Sequence, residues 1–403
     1  MPKKLVLTCL INFLIAALLG LALRYTYLSP ISFNYRFLTH AHSHIAMLGW
    51  VYLMLYTLFV HYFIPEKKHV YNILFWITQI AVVGMLFSFP FQGYAAISIT
   101  FSTLHIFCSY YFFRLIWKNH ETQSIVSKLL LKGSLLFMII STIGVWCLGP
   151  AVGILGQASA FYQIAIQFFL HFQFNGWFLI AVLAILFHKL QIKDSRKFRL
   201  FFKLLITSTI LTFALPINWF APHITLLWVN GLGVILQIAA LMIFLNLIKP
   251  GFKKVINESS KIIKFMLRFA LFCFILKIGM QTLSLIPEIS NMAFQHRNLV
   301  IGFIHLTMLG VISGFLFVYI LQSNLVKFNK NITLGMYIFV LGFVLTELIL
   351  IIQGCLFYFG IGLLPNYYVL LFLSSILLPL GIVGLIFNIY KTKSYENQTS
   401  KTS

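Results

Sequence analysis

Residues 42–50 read HSHIAMLGW, residues 171–177 HFQFNGW and residues 305–310 HLTMLG. In each stretch a histidine is followed five positions later by a glycine: His44 with Gly49, His171 with Gly176, and His305 with Gly310. The three histidines stand 127 and 134 residues apart, so the chain of 403 residues divides into three blocks of similar length, about 1–120, 121–255 and 256–403. Similarity that returns at a long, nearly fixed period is a sign of repeated architecture. A histidine and a glycine at one spacing also recur by chance, so the weight rests on what surrounds them.

What surrounds them is apolar. The chain is 61% hydrophobic and only 9% charged, with a mean hydropathy of +0.96, which excludes a soluble domain. Each crossing of the roughly 30 Å hydrocarbon layer takes about 20 apolar residues. Apolar runs bounded by charge or by Pro/Gly loops fall at approximately 5–23, 40–64, 70–90, 94–117, 130–148, 161–187, 200–219, 223–248, 263–286, 299–322, 332–357 and 367–390. The expected fold is therefore all-α: one polytopic transmembrane domain over 1–403, of about twelve helices in three pseudo-symmetric blocks of four. The histidines of the repeat then lie on the second, sixth and tenth helices. The first run, opened by Met1, Pro2, Lys3 and Lys4, has no small-residue cleavage site before Arg24 and is expected to be the first span.

A net charge of +22 on a soluble chain would suggest nucleic acid. Here the basic residues cluster in short loops between apolar runs, and 25 of the 29 Lys and Arg residues fall on the side of Lys3 and Lys4. That asymmetry is the positive-inside signature, so both termini are expected in the cytoplasm and no nucleic-acid partner is expected. The exceptions are Arg24, Arg36, Arg297 and the intraspan Lys277. The five cysteines lie within apolar runs without CxxC spacing and read as packing residues.

In this topology His44, His171 and His305 all lie near the outer end of their helices, at one depth. Three imidazoles at one level form a candidate metal or haem layer, because imidazole suits iron and copper and ionisable groups inside a membrane are costly. The glycine one turn on removes a side chain, so that a flat macrocycle or a neighbouring helix can come close. The bland alternative is that each histidine is an interfacial or helix-bridging hydrogen bonder. Within THAHSHIAMLGW (39–50), His40 and His44 share a helical face while His42 points roughly the opposite way, so one helix can serve two sites. A zinc-type cluster at the membrane surface is the competing reading of these three histidines.

The HxH followed by LGW resembles the haem-ligating helix of haem–copper oxidase subunit I, particularly the C-type oxidases and nitric oxide reductases, and is similar to that of NnrS-type membrane haem proteins. The resemblance of topology and repeats covers nearly the whole chain, whereas the local motifs cover about thirty residues. It implies twelve spans, internal termini in the bacterial inner membrane, three four-helix arcs, and haem ligands toward the outer side on helices two and ten. Carried onto this sequence, His44 and His305 become the axial pair of a b-type haem, with His40 either a supporting partner of His44 or the ligand itself, and His42 a further candidate. His171 stands where the family places a copper-ligating histidine. The chain departs from the pattern: its HxH is on helix two, the adjacent His-His pair of the copper site is missing, only His223 stands near that region, and the His-Pro-Glu-Val-Tyr sequence is absent. Arg36 and Arg297, just outside helices two and ten, suit haem propionates. Glu347 and Lys277, at similar depth in the eleventh and ninth runs, are expected to form a buried pair or part of a proton path.

The resemblance implies a respiratory electron-transfer protein or an oxidoreductase acting on O2 or NO, with an incomplete copper site. CxxCH is absent, so electrons are expected from quinol or a cytochrome partner subunit. Two other functions compete: a proton- or metal-coupled secondary transporter, in which the histidines carry protons or ions, and a non-catalytic assembly subunit. Transporters place Gly/Pro breaks near the bilayer midplane, whereas here Pro and Gly gather near span ends.

Overall fold

A computed structural model describes residues 1–392, and all regular structure among them is helical. Lys393 and the end of the chain lie outside the described residues. The long helices are α1 (Lys3–Tyr25), α2 (Tyr35–Phe63), α3 (His69–Gln92), α4 (Ala96–Asn119), α5 (Ile125–Leu155), α6 (Ala160–Lys189), α7 (Arg196–Phe220), α8 (Ile224–Glu258), α9 (Lys261–Leu283), α10 (Arg297–Leu321), α11 (Lys330–Tyr358) and α12 (Tyr367–Lys391). Eleven of these, all but α9, are long and apolar enough to cross a membrane. The exception carries Lys261, Lys264, Arg268 and Lys277. Side-chain caps start several helices: Asn34 accepts from the Arg36 and Phe37 amides, and Ser124, Ser159, Ser195 and Asn329 cap α5, α6, α7 and α11.

The outward surface is what a hydrocarbon solvent requires. Phe87, Phe91, Ile154, Trp228 and many other large apolar side chains are exposed along the helices. The chain is an integral membrane protein in its outer surface as well as in its composition.

α2, α6 and α10 are the most buried of the apolar helices and form the centre. They meet pairwise. Trp50 on α2 donates its indole N–H to Ser313 Oγ on α10 at 2.8 Å, Tyr319 on α10 donates to the Val182 carbonyl of α6 at 2.9 Å, and Phe59 on α2 packs edge-on against Trp177 of α6.

The same three helices share a second property. Each changes from α to π geometry one residue after the histidine of the repeat: at Ile45–Tyr52, Phe172–Phe178 and Leu306–Ser313. A π segment widens the helix and frees a carbonyl, and such segments are rare and often functional. A side-chain donor takes up one carbonyl at each: Asn12 bonds Gly49 O, Asn175 bonds His171 O, and Ser313 bonds Met308 O. Each repeat glycine lies inside its π segment and brings a neighbouring helix close. A Cβ at Gly49 would meet Val82 Cγ1 at 2.9 Å, one at Gly176 would meet Phe137 Cγ at 2.6 Å, and one at Gly310 would meet Cys273 Sγ at 2.8 Å. Of the two roles expected for these glycines, the structure uses the approach of a helix.

The ends of the described chain meet. Lys3 Nζ donates to the carbonyls of Tyr390 and Thr392 at 2.9 and 2.7 Å, while at the opposite end of the same helix pair Tyr27 stacks on Tyr368 with ring centroids 4.8 Å apart.

Candidate functional site

A cavity of about 640 Å³ opens beside α2. It is bounded by α1, α10, α11 and α12 on one side and by residues of α4, α5 and α6 on the other. Its volume lies within the range of cofactor and small-ligand sites. His40, His42 and His44 all line it, with His305 and His105. So do Arg24, Arg36 and Arg297, the three arginines that stand apart from the basic face of the molecule.

Helical periodicity divides the α2 histidines as expected. His42 turns toward α1, where its Nδ1 lies 2.8 Å from the Ala16 carbonyl oxygen. A carbonyl only accepts, so Nδ1 carries the proton and Nε2 keeps its lone pair. Gly20, one turn beyond Ala16, makes room for the ring, since a Cβ there would sit 3.0 Å from His42 Cε1. His305 and Arg24 lie within electrostatic reach of His42. His305 presents Nδ1 to Glu347 Oε1 at 3.8 Å, and Gly302 admits that carboxylate, whose Oε2 would be 3.3 Å from a Cβ at this position. At 3.8 Å the two are neighbours without a hydrogen bond, and Glu347 Oε1 has no hydrogen-bond partner among the described residues.

His40 and His44 face α3 and α4 instead. His44 Nδ1 lies 2.8 Å from the His40 carbonyl, and its Nε2 lies 3.1 Å from the Tyr94 hydroxyl. His40 packs edge-on against Tyr94 with centroids 4.7 Å apart. Of the two roles weighed for His40, its backbone supports His44. His42 and His44 both line the cavity with His305, His42 turned toward α1 and His44 toward Tyr94.

The third repeat histidine is elsewhere. His171 Nε2 lies 2.8 Å from the Thr209 carbonyl, which fixes the proton on that nitrogen, and its Nδ1 faces the Asn175 amide at 3.5 Å. His171 is thus held by α7 through Nε2 and approached by Asn175 at Nδ1. His223 is also accounted for: its Nδ1 accepts from the Thr225 amide at 3.3 Å and caps α8. Among the described residues no group of three or more His, Cys, Asp or Glu side chains stands close enough to hold a metal ion. The donor set for copper is not assembled around His171.

Glu347 and Lys277 are not partners either. Lys277, fully buried, donates to Asn175 Oδ1 at 2.6 Å and to Gln281 Oε1 at 2.7 Å, while Glu347 turns to His305. Equal depth in two spans was the basis for pairing them, and depth does not say which face of a helix a residue occupies.

The rim at the Tyr27 end is basic and aromatic. Arg297 lies over the Tyr35 ring at 5.8 Å, Arg36 reaches Gln157 Oε1 at 3.5 Å, and Arg24 donates to the Leu371 carbonyl at 3.3 Å. In the loop between α1 and α2, partial burial is the main cause that pushes the Tyr27 phenol up to about 12, so it remains a neutral hydroxyl at physiological pH. Apolar walls, two imidazoles with available nitrogens and guanidinium groups at the mouth suit a planar amphiphile carrying a metal at its centre and anionic groups at its edge. Sequence reading missed Arg24 and His105 as lining residues. Arg24 was visible as an exception to the charge asymmetry; nothing in the sequence singled out His105 from other histidines. Compared with models of known protein families and with curated proteins, the chain matches none.

Proposed function

We propose that the chain is a haem-binding electron-transfer protein built on the plan of haem–copper oxidase subunit I. A b-type haem would lie in the cavity with His42 on α2 and His305 on α10 as axial ligands. The observation that carries this reading is the pair of imidazoles at similar depth within one cavity, with His42 held through Nδ1 and His305 beside Glu347. Arg24, Arg36 and Arg297 would meet the propionates. Such a haem supplies one-electron chemistry. With both His42 and His305 holding it, the group would supply electron transfer in preference to O2 or NO chemistry. Copper is not part of the proposal, since among the described residues no group of three or more His, Cys, Asp or Glu side chains surrounds His171.

The finer architecture of the proposal is twelve crossings in three arcs of four. Ends that meet at Lys3 and Thr392 call for an even number of crossings, and α9 is the helix that makes eleven into twelve. The α-to-π change on α2, α6 and α10 returns every fourth helix and supports the arcs. The basic face then lies in the cytoplasm, across a bacterial inner membrane, and electrons would come from quinol or a cytochrome partner. Reporter fusions after Lys4 and in the loop at Lys193 are expected to report the cytoplasm; an external reading at either position would contradict this orientation.

The absorption spectrum of purified protein, expressed with ample haem, tests the function. The expected result is a b-type low-spin spectrum that sharpens on reduction. A colourless protein would end the haem reading and leave a transporter as the leading alternative.

A further inference from the structure

α9 and α11 both set out from the basic end of the molecule, and they touch near that end. Phe265 of α9 meets Tyr337 of α11 edge-on with ring centroids 4.7 Å apart, and one turn further along α9 Phe269 meets Phe343 at 5.4 Å. Along α9 exposed residues fall at Lys261, Arg268, Phe272 and Ile275, with Lys264 partly buried between the first two. Along α11 they fall at Lys330, Leu334, Tyr337, Leu341 and Val344. At helical spacing each set is one stripe, cationic where its helix begins and largely apolar beyond. From Leu334 to Val344 the stripe rises about 15 Å, half of the roughly 30 Å hydrocarbon layer and so one leaflet.

A surface groove of about 470 Å³ lies at the head of α11, lined by Phe328, Asn329, Lys330, Thr333, Leu334 and Tyr337. Several cations of the basic end have protein partners: Lys3 bonds the carbonyls of Tyr390 and Thr392, Lys68 pairs with Glu66, and Arg199 with Asp194. Lys261, Lys264, Arg268 and Lys330 have no side-chain hydrogen bond, ion pair or ring contact among the described residues. Arg268 is the most telling of them. It stands seven residues beyond Lys261, about 10 Å along the helix, and exposed Phe272 is one turn further on. A guanidinium on a lipid-facing surface at that depth is costly without an anion.

We infer that the groove between α9 and α11 binds an anionic phospholipid, its phosphate among Lys264, Arg268 and Lys330 and an acyl chain along Phe272, Ile275, Leu341 and Val344. A guanidinium takes two phosphate oxygens at once, and a lysine meets the same group as a point charge. Tyr337 adds an amphipathic ring at the level where headgroup and chain join. An anionic lipid carries both halves of this chemistry, negative charge followed by a chain of leaflet length. A zwitterionic lipid brings an amine that the cations repel, and free phosphate leaves the apolar stripes bare. The bound lipid also supplies counter-charge to α9, the long helix whose own composition is too charged for a span, and so steadies the helix whose Cys273 packs on Gly310. The inference is independent of the haem reading.

The test is retention of dioleoyl-phosphatidylglycerol by the purified protein in neutral detergent, counted by native mass spectrometry, with dioleoyl-phosphatidylcholine and inorganic phosphate as separate arms. The wild type is expected to hold phosphatidylglycerol more tightly than phosphatidylcholine. Lys264→Gln/Arg268→Gln is expected to weaken it about 25-fold, or about fivefold for each cation removed near a lipid surface. Lys330→Gln, on the other wall, is expected to weaken it about fivefold. Lys193→Gln/Lys197→Gln, which removes two exposed cations at the start of α7 and just before it, is expected to leave retention unchanged. If the double variant on α9 does not fold, Lys330→Gln decides alone. Equal retention of the two lipids, equal losses in the groove and control variants, or displacement of the lipid by inorganic phosphate overturns the inference.

Discussion

His42→Ala is expected to abolish the low-spin spectrum of the haem site, and His305→Ala to do the same. In the proposed site the imidazole nitrogen of each would hold iron from its side, and alanine leaves no donor in its place. For His42 the ring is fixed by the Ala16 carbonyl at 2.8 Å and admitted by Gly20. Its removal leaves a five-coordinate iron, which is high-spin, or no haem at all. His40→Ala is expected to keep the low-spin spectrum, because His40 supports His44 through its backbone carbonyl and not through its ring. Glu347→Gln is expected to be milder than loss of a ligand, because Glu347 is a neighbour of His305 without a hydrogen bond to it. Absorption spectra of the oxidised and reduced variants decide the matter. A low-spin spectrum retained in His42→Ala would move the ligand to another imidazole.

Gly176→Ala is expected to destabilise the protein, and Gly149→Ala is not. At Gly176 the new methyl would lie 2.6 Å from Phe137 Cγ and 2.7 Å from Phe137 Cβ. Phe137 Cβ is attached directly to the backbone of α5, so the ring cannot swing away without moving the helix. Overpacking of this kind costs about 1–3 kcal/mol. At Gly149, on the same α5, a Cβ meets nothing within 4 Å. There alanine is neutral or stabilising, by about 0.5–1 kcal/mol from helix propensity. Thermal unfolding in one detergent, with both variants measured beside the wild type, gives the contrast. Equal transition temperatures for the two variants would mean that α6 does not approach α5 as closely as described.

The helices were legible in the sequence because the hydrocarbon layer imposes length and composition on every span. Boundaries were less so. The run expected from 40 begins in the structure at Tyr35, since Asn34 caps a first turn that carries Arg36 and lies at the mouth of the cavity. The run at 200–219 is broken between Leu211 and Ala214, and the short helix Pro287–Gln295 after α9 went unnoticed between two apolar stretches. The α-to-π changes were not legible at all, although the histidine that precedes each and the glycine inside it were the strongest signal in the chain.

The candidate site was legible by depth and not by direction. A repeat places His44, His171 and His305 at corresponding positions, and periodicity separates His42 from His44. Which face meets α10 depends on how α2 is rotated against its neighbours, and that is set by packing of Phe13 against Trp50, stacked at 4.6 Å, and by the bond of Trp50 to Ser313. His171 shows the same limit. Its bond to Thr209 joins residues 38 positions apart on different helices, and no local pattern announces it. Glu347 and Lys277 were noticed as costly buried charges, and each found a different neighbour from the one that symmetry of depth suggested.

The most direct test of the central claim is the electron paramagnetic resonance spectrum of the oxidised wild-type protein. Iron held between His42 and His305 gives a low-spin ferric signal of the bis-imidazole type, lost in His42→Ala. A spectrum with only high-spin iron, or with no haem signal from protein shown to be folded, would contradict the account.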